Sequence, residues 1–149
     1  LKFKGMKHLL YFNLGKIERR RTNFSGAKSY YQKALEEADS DPRLVLNRKS
    51  LKGKINSSLG RLFAEMGNQE EGSVGKMHLS KAAESFIMAF KSDRSRIFDL
   101  RRAALIQIRI GNKKEAQKTL QTFLSQNPPK HYQTWALRKI RTLSEPGKF

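Results

Sequence analysis

The sequence predicts an all-α protein with an internal repeat, and three observations lead to this prediction. Apolar residues recur at spacings of three and four along most of the chain, and no run alternates apolar and polar residues as a half-buried strand would. Short turn-forming segments divide this pattern into seven stretches. Alternate stretches place a small residue and then an aromatic residue or leucine at matching positions, which indicates a repeat.

The first two predicted helices are separated by the turn Thr-Asn-Phe at residues 22–24. The stripe of the first helix consists of Phe3, Met6, Leu10, Leu14 and Ile17. The second helix has Ser25 as a candidate N-cap, and its stripe is Ala27, Tyr31, Ala34 and Ala38. Asp-Ser-Asp-Pro at residues 39–42 ends it, so we predict a helix pair over the first quarter of the chain.

A longer helix is predicted next, with Pro42 in its first turn and the glycine stop Gly67-Asn68 at its end. Its stripe is Leu44, Leu51, Ile55, Leu59, Leu62 and Met66. The fourth helix is predicted from about Leu79, with the stripe Ala82, Phe86, Ala89 and Phe90. These small and aromatic positions match those of the second helix, so this is a second pair.

The last three helices follow Ser-Asp-Arg-Ser at residues 92–95. The fifth is predicted from Ile97 to Ile110, and Gly111-Asn112 separates it from a sixth with the stripe Ala116, Leu120 and Phe123. The seventh, at residues 129–143, carries Tyr132, Trp135, Ala136, Ile140 and Leu143, and residues 144–149 form a tail. Trp135 is expected to cover the end of the core, as a terminal capping helix does.

The segment Gly67 to Lys76 contains glycines spaced as in a phosphate-binding loop, but other features of that loop are missing. Such a loop follows a buried strand and ends in Gly-Lys-Ser/Thr. Here Met77 follows Gly75-Lys76, and the preceding residues have helical spacing. We therefore predict no nucleotide site, and interpret residues 69–77 as a mobile turn with rapid amide hydrogen exchange. A loop that binds a partner is the alternative.

Charge is the most informative feature of the composition. The 149 residues include 31 Lys and Arg against 13 Asp and Glu, a formal net charge of +18. Such a surface attracts nucleic acid, acidic protein segments and anionic membranes. No apolar run is long enough to span a bilayer, which favours a soluble, cytoplasmic chain without identifying the compartment. Because the chain begins at Leu1 within a helical pattern, we expect it to be part of a longer protein.

Catalytic and metal-binding patterns are not apparent in the sequence. There is no Cys, and His8, His78 and His131 stand apart from one another and from paired carboxylates. No Ser, His and Asp set shares a motif. We therefore predict a non-enzymatic protein without a cofactor or metal.

The repeat resembles the tetratricopeptide repeat family over about residues 8–143. The residues that carry the resemblance are Tyr11, Leu14, Gly15, Ala27, Tyr31 and Ala34 in the first repeat, Leu59, Gly60, Phe63, Gly67, Ala82, Phe86 and Ala89 in the second, and Gly111, Ala116, Leu120 and Pro128 in the third. The resemblance implies one domain, residues 1–143, folded as a right-handed α-solenoid of three helix pairs and a capping helix.

The repeats are longer than the family's usual period of about 34 residues. They are expected at about residues 8–41, 53–95 and 97–128, with starts at His8, Gly53 and Ile97 that are 45 and 44 residues apart. Residues 42–52 are expected to lengthen the third helix at its start. About ten further residues lie between Gly67-Asn68 and Ala82, in the predicted mobile turn.

In this family the first helix of each pair builds the concave wall, so the resemblance implies a binding groove there. Carried over position by position, that wall consists of Leu9, Phe12, Lys16, Arg19, Arg20, Lys54, Ser57, Arg61, Ala64, Glu65, Phe98, Arg101, Leu105, Ile108 and Arg109. Seven of these are Lys or Arg and one is acidic, so we expect a basic groove with apolar contacts at Phe12, Phe98, Leu105 and Ile108. An exposed basic face with no partner is the simpler alternative.

The chaperone-binding members of the family hold a C-terminal carboxylate with a clamp of Lys, Asn and Arg. The matching positions here are Phe12, Lys16, Ser58, Phe98 and Arg102, of which only Arg102 keeps the clamp residue. The resemblance therefore favours a scaffold for an acidic or amphipathic segment of another protein. The alternatives are an RNA-binding helical repeat, although base-reading residue pairs are not apparent, and a membrane-surface adaptor that uses residues 16–21 and 137–141.

Overall fold

The computed structural model describes residues 6–145, which form seven α-helices in a row. They are α1 (Lys7–Arg20), α2 (Phe24–Ser40), α3 (Arg48–Gln69), α4 (Gly72–Ser92), α5 (Ile97–Arg109), α6 (Lys113–Ser125) and α7 (Lys130–Ser144). The described residues contain no strand, so the predicted all-α class is confirmed. The predicted stripe residue Phe3 and residues 146–149 of the predicted tail lie outside the described range, whereas Ser144 belongs to α7.

Every extensive helix–helix interface joins helices that follow one another in sequence. This arrangement is that of a helical-repeat solenoid, in which α1–α2, α3–α4 and α5–α6 are the pairs and α7 packs on α6. The apolar core has two main clusters, one formed within α1–α4 and one within α4–α7. A smaller cluster of Ala83, Phe86 and Ala103 lies between them.

A glycine facing an aromatic ring recurs in the first two helix pairs. A Cβ atom on Gly15 would lie 2.6 Å from the Tyr31 ring, and one on Gly60 would lie 2.8 Å from the Phe86 ring. Side chains at these positions would therefore force the two helices of each pair apart. In the third pair the position that matches these glycines is Ala104. It shares a core cluster with Leu120, whose side chain is smaller than the aromatic rings of the first two pairs.

Two helix starts differ from the sequence prediction. Ser25 is not the N-cap of α2, because Asn23 caps it by accepting the Gly26 N–H at 3.2 Å. The helix predicted from Pro42 begins only at Arg48, after a 3₁₀ turn at Pro42–Leu44. Asp41 stabilises that turn by accepting the Arg43 N–H at 2.9 Å, and its side-chain hydrogen bond with the Arg43 guanidinium holds the pKa of Asp41 below its ordinary value.

The prediction of a mobile turn at residues 69–77 is wrong. Only Glu70 and Glu71 connect α3 to α4, so the additional residues lengthen both helices. Gly67 and Gly75 are buried at the contact of the two helices, where a Cβ on Gly75 would lie 2.2 Å from the Glu70 carbonyl oxygen. Gly72 begins α4 with φ +71°, a conformation that favours glycine. These glycines thus permit a tight helical hairpin.

Replacing Gly75 with alanine is expected to lower the free energy of unfolding by about 2 kcal/mol, because the new methyl group would overlap the Glu70 carbonyl oxygen. Urea denaturation followed by circular dichroism measures the loss. Ser73→Ala, at an exposed position in the same turn of α4, is the matched control and should change stability by less than about 0.5 kcal/mol. A Gly75→Ala variant as stable as its control would show that the hairpin tip is not closely packed.

Candidate functional site

The main candidate site is a cleft of about 270 Å³ between α1 and α3, here called the α1–α3 cleft. Its lining is Phe12, Lys16, Arg19, Tyr31, Lys54, Ser57, Ser58, Arg61 and Arg96. Six of the fifteen residues predicted for the groove wall meet here, namely Phe12, Lys16, Arg19, Lys54, Ser57 and Arg61. They meet because successive turns of α1 and α3 direct residues spaced by three and four toward the same side.

The phenyl ring of Phe12 forms the apolar floor of the cleft between two ammonium groups. The Nζ atoms of Lys16 and Lys54 lie 5.5 and 5.0 Å from its centroid. These distances suit cation–π attraction, which holds both ammonium groups at the cleft. Phe12 is only 6% exposed and packs on Tyr31, with ring centroids 5.5 Å apart. It therefore belongs both to the core and to the cleft.

The cleft has more positive than negative charge. Arg19 is paired with Glu65, and Arg96 lies 3.3 Å from an Asp99 carboxylate oxygen. Within residues 6–145, no carboxylate lies at ion-pair distance from Lys16, Lys54 or Arg61. These three cations are thus available to an anionic ligand.

Tyr31 closes the bottom of the cleft from α2. Burial raises the pKa of its hydroxyl above the ordinary value, while the positive charges of Arg19, Arg20 and Arg61 oppose that rise. A tyrosine hydroxyl is neutral at physiological pH even at its ordinary pKa, and burial acts in the same direction, so Tyr31 is a hydrogen-bond donor there. The cleft floor is therefore aromatic and uncharged, and the positive charge is on its walls.

Asp99 is the buried acid that connects α5 to α3 beside the cleft. Its carboxylate is 1% exposed and accepts hydrogen bonds from Ser57 at 3.2 Å, Arg96 at 3.3 Å and Arg102 at 2.7 Å. The bond to Arg96 holds that guanidinium at the edge of the cleft. Asp99 therefore positions a cleft residue that lies outside the helices.

Sequence analysis missed Arg96 and Tyr31 as cleft residues. Arg96 precedes α5, in a segment interpreted only as a break between helices, and Tyr31 was assigned to the core alone. Gly53 is the sequence feature that could have indicated the position of Arg96. A Cβ atom there would lie 2.7 Å from Asp93 and 3.0 Å from the Arg96 side chain, so glycine makes room for that turn.

Phe98 and Arg101, also predicted for the groove, lie in a separate aromatic region between α5 and α7. The ring centroids of Phe98 and Tyr132 are 4.9 Å apart, and Phe98 remains 37% exposed. The Arg101 guanidinium lies 4.8 Å from the Trp135 ring centroid and 5.6 Å from that of Tyr132. This region, here called the α5–α7 aromatic patch, combines one cation with exposed ring surface.

The remaining predicted groove residues do not line the α1–α3 cleft. Arg20 and Leu105 are exposed on α1 and α5, and Arg109 donates a hydrogen bond to Asn68. Arg102, the one residue shared with the carboxylate clamp, is paired with Asp99. That pairing gives Arg102 a structural role that the sequence did not indicate.

The described part of the chain has neither a cluster of metal ligands nor a membrane-spanning helix. No three potential metal ligands of the His, Cys, Asp or Glu type lie together between residues 6 and 145. In the same range, each helix is too short or too polar to cross a membrane.

Comparison with known protein families finds two matching segments. Residues 9–41 and residues 100–129 each match a family model described as Tetratricopeptide repeat. The first match covers most of α1 and all of α2, and the second covers most of α5 and all of α6. No curated protein and no solved structure matched the chain. The two matches lie at the first and third helix pairs of the seven-helix solenoid, and together they support a tetratricopeptide repeat protein.

Proposed function

We propose that this chain is a non-enzymatic scaffold that holds an acidic or amphipathic segment of a partner protein along a basic groove. Tetratricopeptide repeats generally mediate protein–protein interaction and typically have no enzymatic activity. The observation that carries the proposal is the α1–α3 cleft, where Lys16, Lys54 and Arg61 surround the apolar floor of Phe12.

The proposed groove has two parts with different roles. The α1–α3 cleft supplies unpaired positive charge, which increases association rate and selects acidic partners. The α5–α7 aromatic patch supplies exposed ring surface at Phe98 and a cation at Arg101. Aromatic and arginine side chains are frequent anchors in protein interfaces. A partner segment with acidic residues at one end and apolar residues at the other would suit both parts.

Two double variants separate the charge contribution from the apolar contribution. Lys16→Glu with Arg61→Glu should abolish partner binding, because it replaces attraction with repulsion in the cleft. Phe12→Leu with Phe98→Ala should weaken binding of a protein segment at least about tenfold. Leucine is used at position 12 because Phe12 packs against Tyr31 in the core. Affinity capture with the full chain, followed by titration of the captured partner, measures both effects.

The matched control is Lys91→Glu with Lys114→Glu, which changes the net charge equally at exposed positions of α4 and α6 outside the cleft. This control should bind as the unchanged chain does. Loss of binding in the control would mean that total charge, and not the groove, determines the interaction. Unchanged binding in both groove variants would place the interaction on another surface.

Nucleic acid is the competing ligand class, since a net charge of +18 also suits phosphate backbones. Capture that disappears after nuclease treatment would contradict the protein-binding proposal. Nucleic acid would also be indicated if Phe12→Leu with Phe98→Ala left binding unchanged while the logarithm of the affinity fell linearly with the logarithm of the salt concentration.

A further inference from the structure

The α1–α3 cleft has a charge excess that one carboxylate side chain would not match. Five cations line it, and two carboxylates, those of Glu65 and Asp99, are paired with them. Asp99 also binds Arg102, which does not line the cleft. The lining therefore keeps at least three positive charges beyond its acids, from Lys16, Lys54 and Arg61.

The uncharged groups of the cleft also suit an oxyanion with several acceptor oxygens. Ser58 lines the cleft and has no hydrogen-bond partner in the described part of the chain. The Tyr31 hydroxyl, which lies at the bottom of the cleft, is a neutral donor at physiological pH. Ammonium and guanidinium groups on two facing helices, with hydroxyl groups nearby, can donate to a tetrahedral anion from several directions.

We infer that the α1–α3 cleft binds a phosphomonoester, carried by a phosphorylated Ser or Thr in the partner segment. This inference rests on the proposed function and specifies its ligand. A phosphorylated side chain has close to two negative charges at neutral pH and three strong acceptor oxygens, whereas a carboxylate has one charge. The cleft volume of about 270 Å³ leaves space for such a side chain together with several waters, each occupying about 30 Å³.

The shape of the site favours a side-chain phosphate over a nucleic-acid backbone. The unpaired cations line one cleft between α1 and α3, whereas a backbone presents singly charged phosphates along an extended line. Phe12 is 6% exposed, so it offers little ring surface for base stacking. RNA therefore enters the experiment as a competing outcome.

Inorganic phosphate is the first probe, with acetate as the singly charged comparison at equal ionic strength. Amide chemical shifts of the full chain, recorded by NMR during each titration, should locate phosphate at Lys16, Ser58 and Arg61. Phosphate should bind at least about tenfold more tightly than acetate. Lys54→Gln with Arg61→Gln should weaken phosphate binding by a similar factor, and both substitutions are at exposed positions that the fold tolerates. The control is Lys91→Gln with Lys114→Gln, which removes the same number of positive charges outside the cleft.

Short random peptides with a fixed central residue form the second probe. Three pools carry phosphoserine, glutamate or serine at that residue. Retention on the full chain should favour the phosphoserine pool over the glutamate pool at least about tenfold. The chain should also bind the phosphoserine pool more tightly than it binds inorganic phosphate. This comparison distinguishes a phosphorylated protein segment from a free anion. Lys54→Gln with Arg61→Gln should remove the preference.

The outcomes distinguish this inference from the proposed function. Equal retention of the glutamate and phosphoserine pools overturns the phosphate inference and leaves an acidic-segment scaffold in place. Free phosphate that competes as well as the phosphoserine pool overturns the assignment to a protein segment. Retention of RNA with no retention of any peptide pool overturns both. A phosphoserine preference that survives the double variant moves the site away from the cleft and overturns the inference as well.

Discussion

Replacing Phe86 with alanine is expected to lower the free energy of unfolding by about 4 kcal/mol, in line with typical losses for a buried phenyl ring. Phe86 is 3% exposed, and its ring lies on Gly60 of α3 and in a cluster with Ala83 and Ala103. The cavity would thus open where the middle helix pair meets α5. Guanidinium denaturation followed by circular dichroism measures the loss.

The contact between Gly60 and Phe86 can be tested separately from the cavity. Gly60→Ala alone should be destabilising, because the new Cβ would lie 2.8 Å from the ring. In a chain that also carries Phe86→Leu, the added methyl group should cost less, since the third pair already combines Ala104 with Leu120. If the losses of unfolding free energy in this double-mutant cycle were strictly additive, Gly60 and the Phe86 ring would not be energetically coupled.

Replacing Trp135 with alanine is expected to cost about 3 kcal/mol, at the low end for a large aromatic residue. Trp135 is partly buried, and its ring stands perpendicular to that of Phe123 at a centroid distance of 6.3 Å. Phe123 is fully buried, so loss of the indole would expose the last core cluster. The Arg101 guanidinium, 4.8 Å from the indole centroid, would lose its stacking partner too.

Thermal unfolding and urea denaturation both report on this capping contact. Leu137→Ala is the matched control on the same helix, because Leu137 is 56% exposed and its truncation should change stability by less than about 0.5 kcal/mol. Equal behaviour of the two variants would mean that Trp135 does not cap the core. Its indole would then be a candidate contact for the partner.

Apolar periodicity was sufficient to predict the seven helices, because burial of one helical face dominates the choice of structure. The Gly67–Gly75 segment was misinterpreted for a specific reason. Glycine lowers intrinsic helix propensity, which favours a turn at the level of sequence. In the folded chain, however, Gly67 and Gly75 permit close packing of α3 on α4, and that tertiary contact outweighs the local preference.

The same distinction applies to the α1–α3 cleft. Lys16, Lys54 and Arg61 could be predicted because the family resemblance implies which positions of the first helix in each pair face the groove. Arg96 could not, since it reaches the cleft only when the turn between α4 and α5 packs against α3 at Gly53. Its orientation depends further on Asp99, whose burial follows from packing between two helix pairs.

The restriction of extensive interfaces to consecutive helices has a consequence for how the chain folds. Because each helix meets mainly partners that are close in sequence, little loop-closure entropy opposes assembly, and such topologies fold quickly. The two longest helices, α3 and α4, form the most locally connected hairpin and can serve as the nucleus from which order spreads in both directions. Each end of the stack then depends on the one or two helices nearest to it, so α1 and α7 can open and close without unfolding one another.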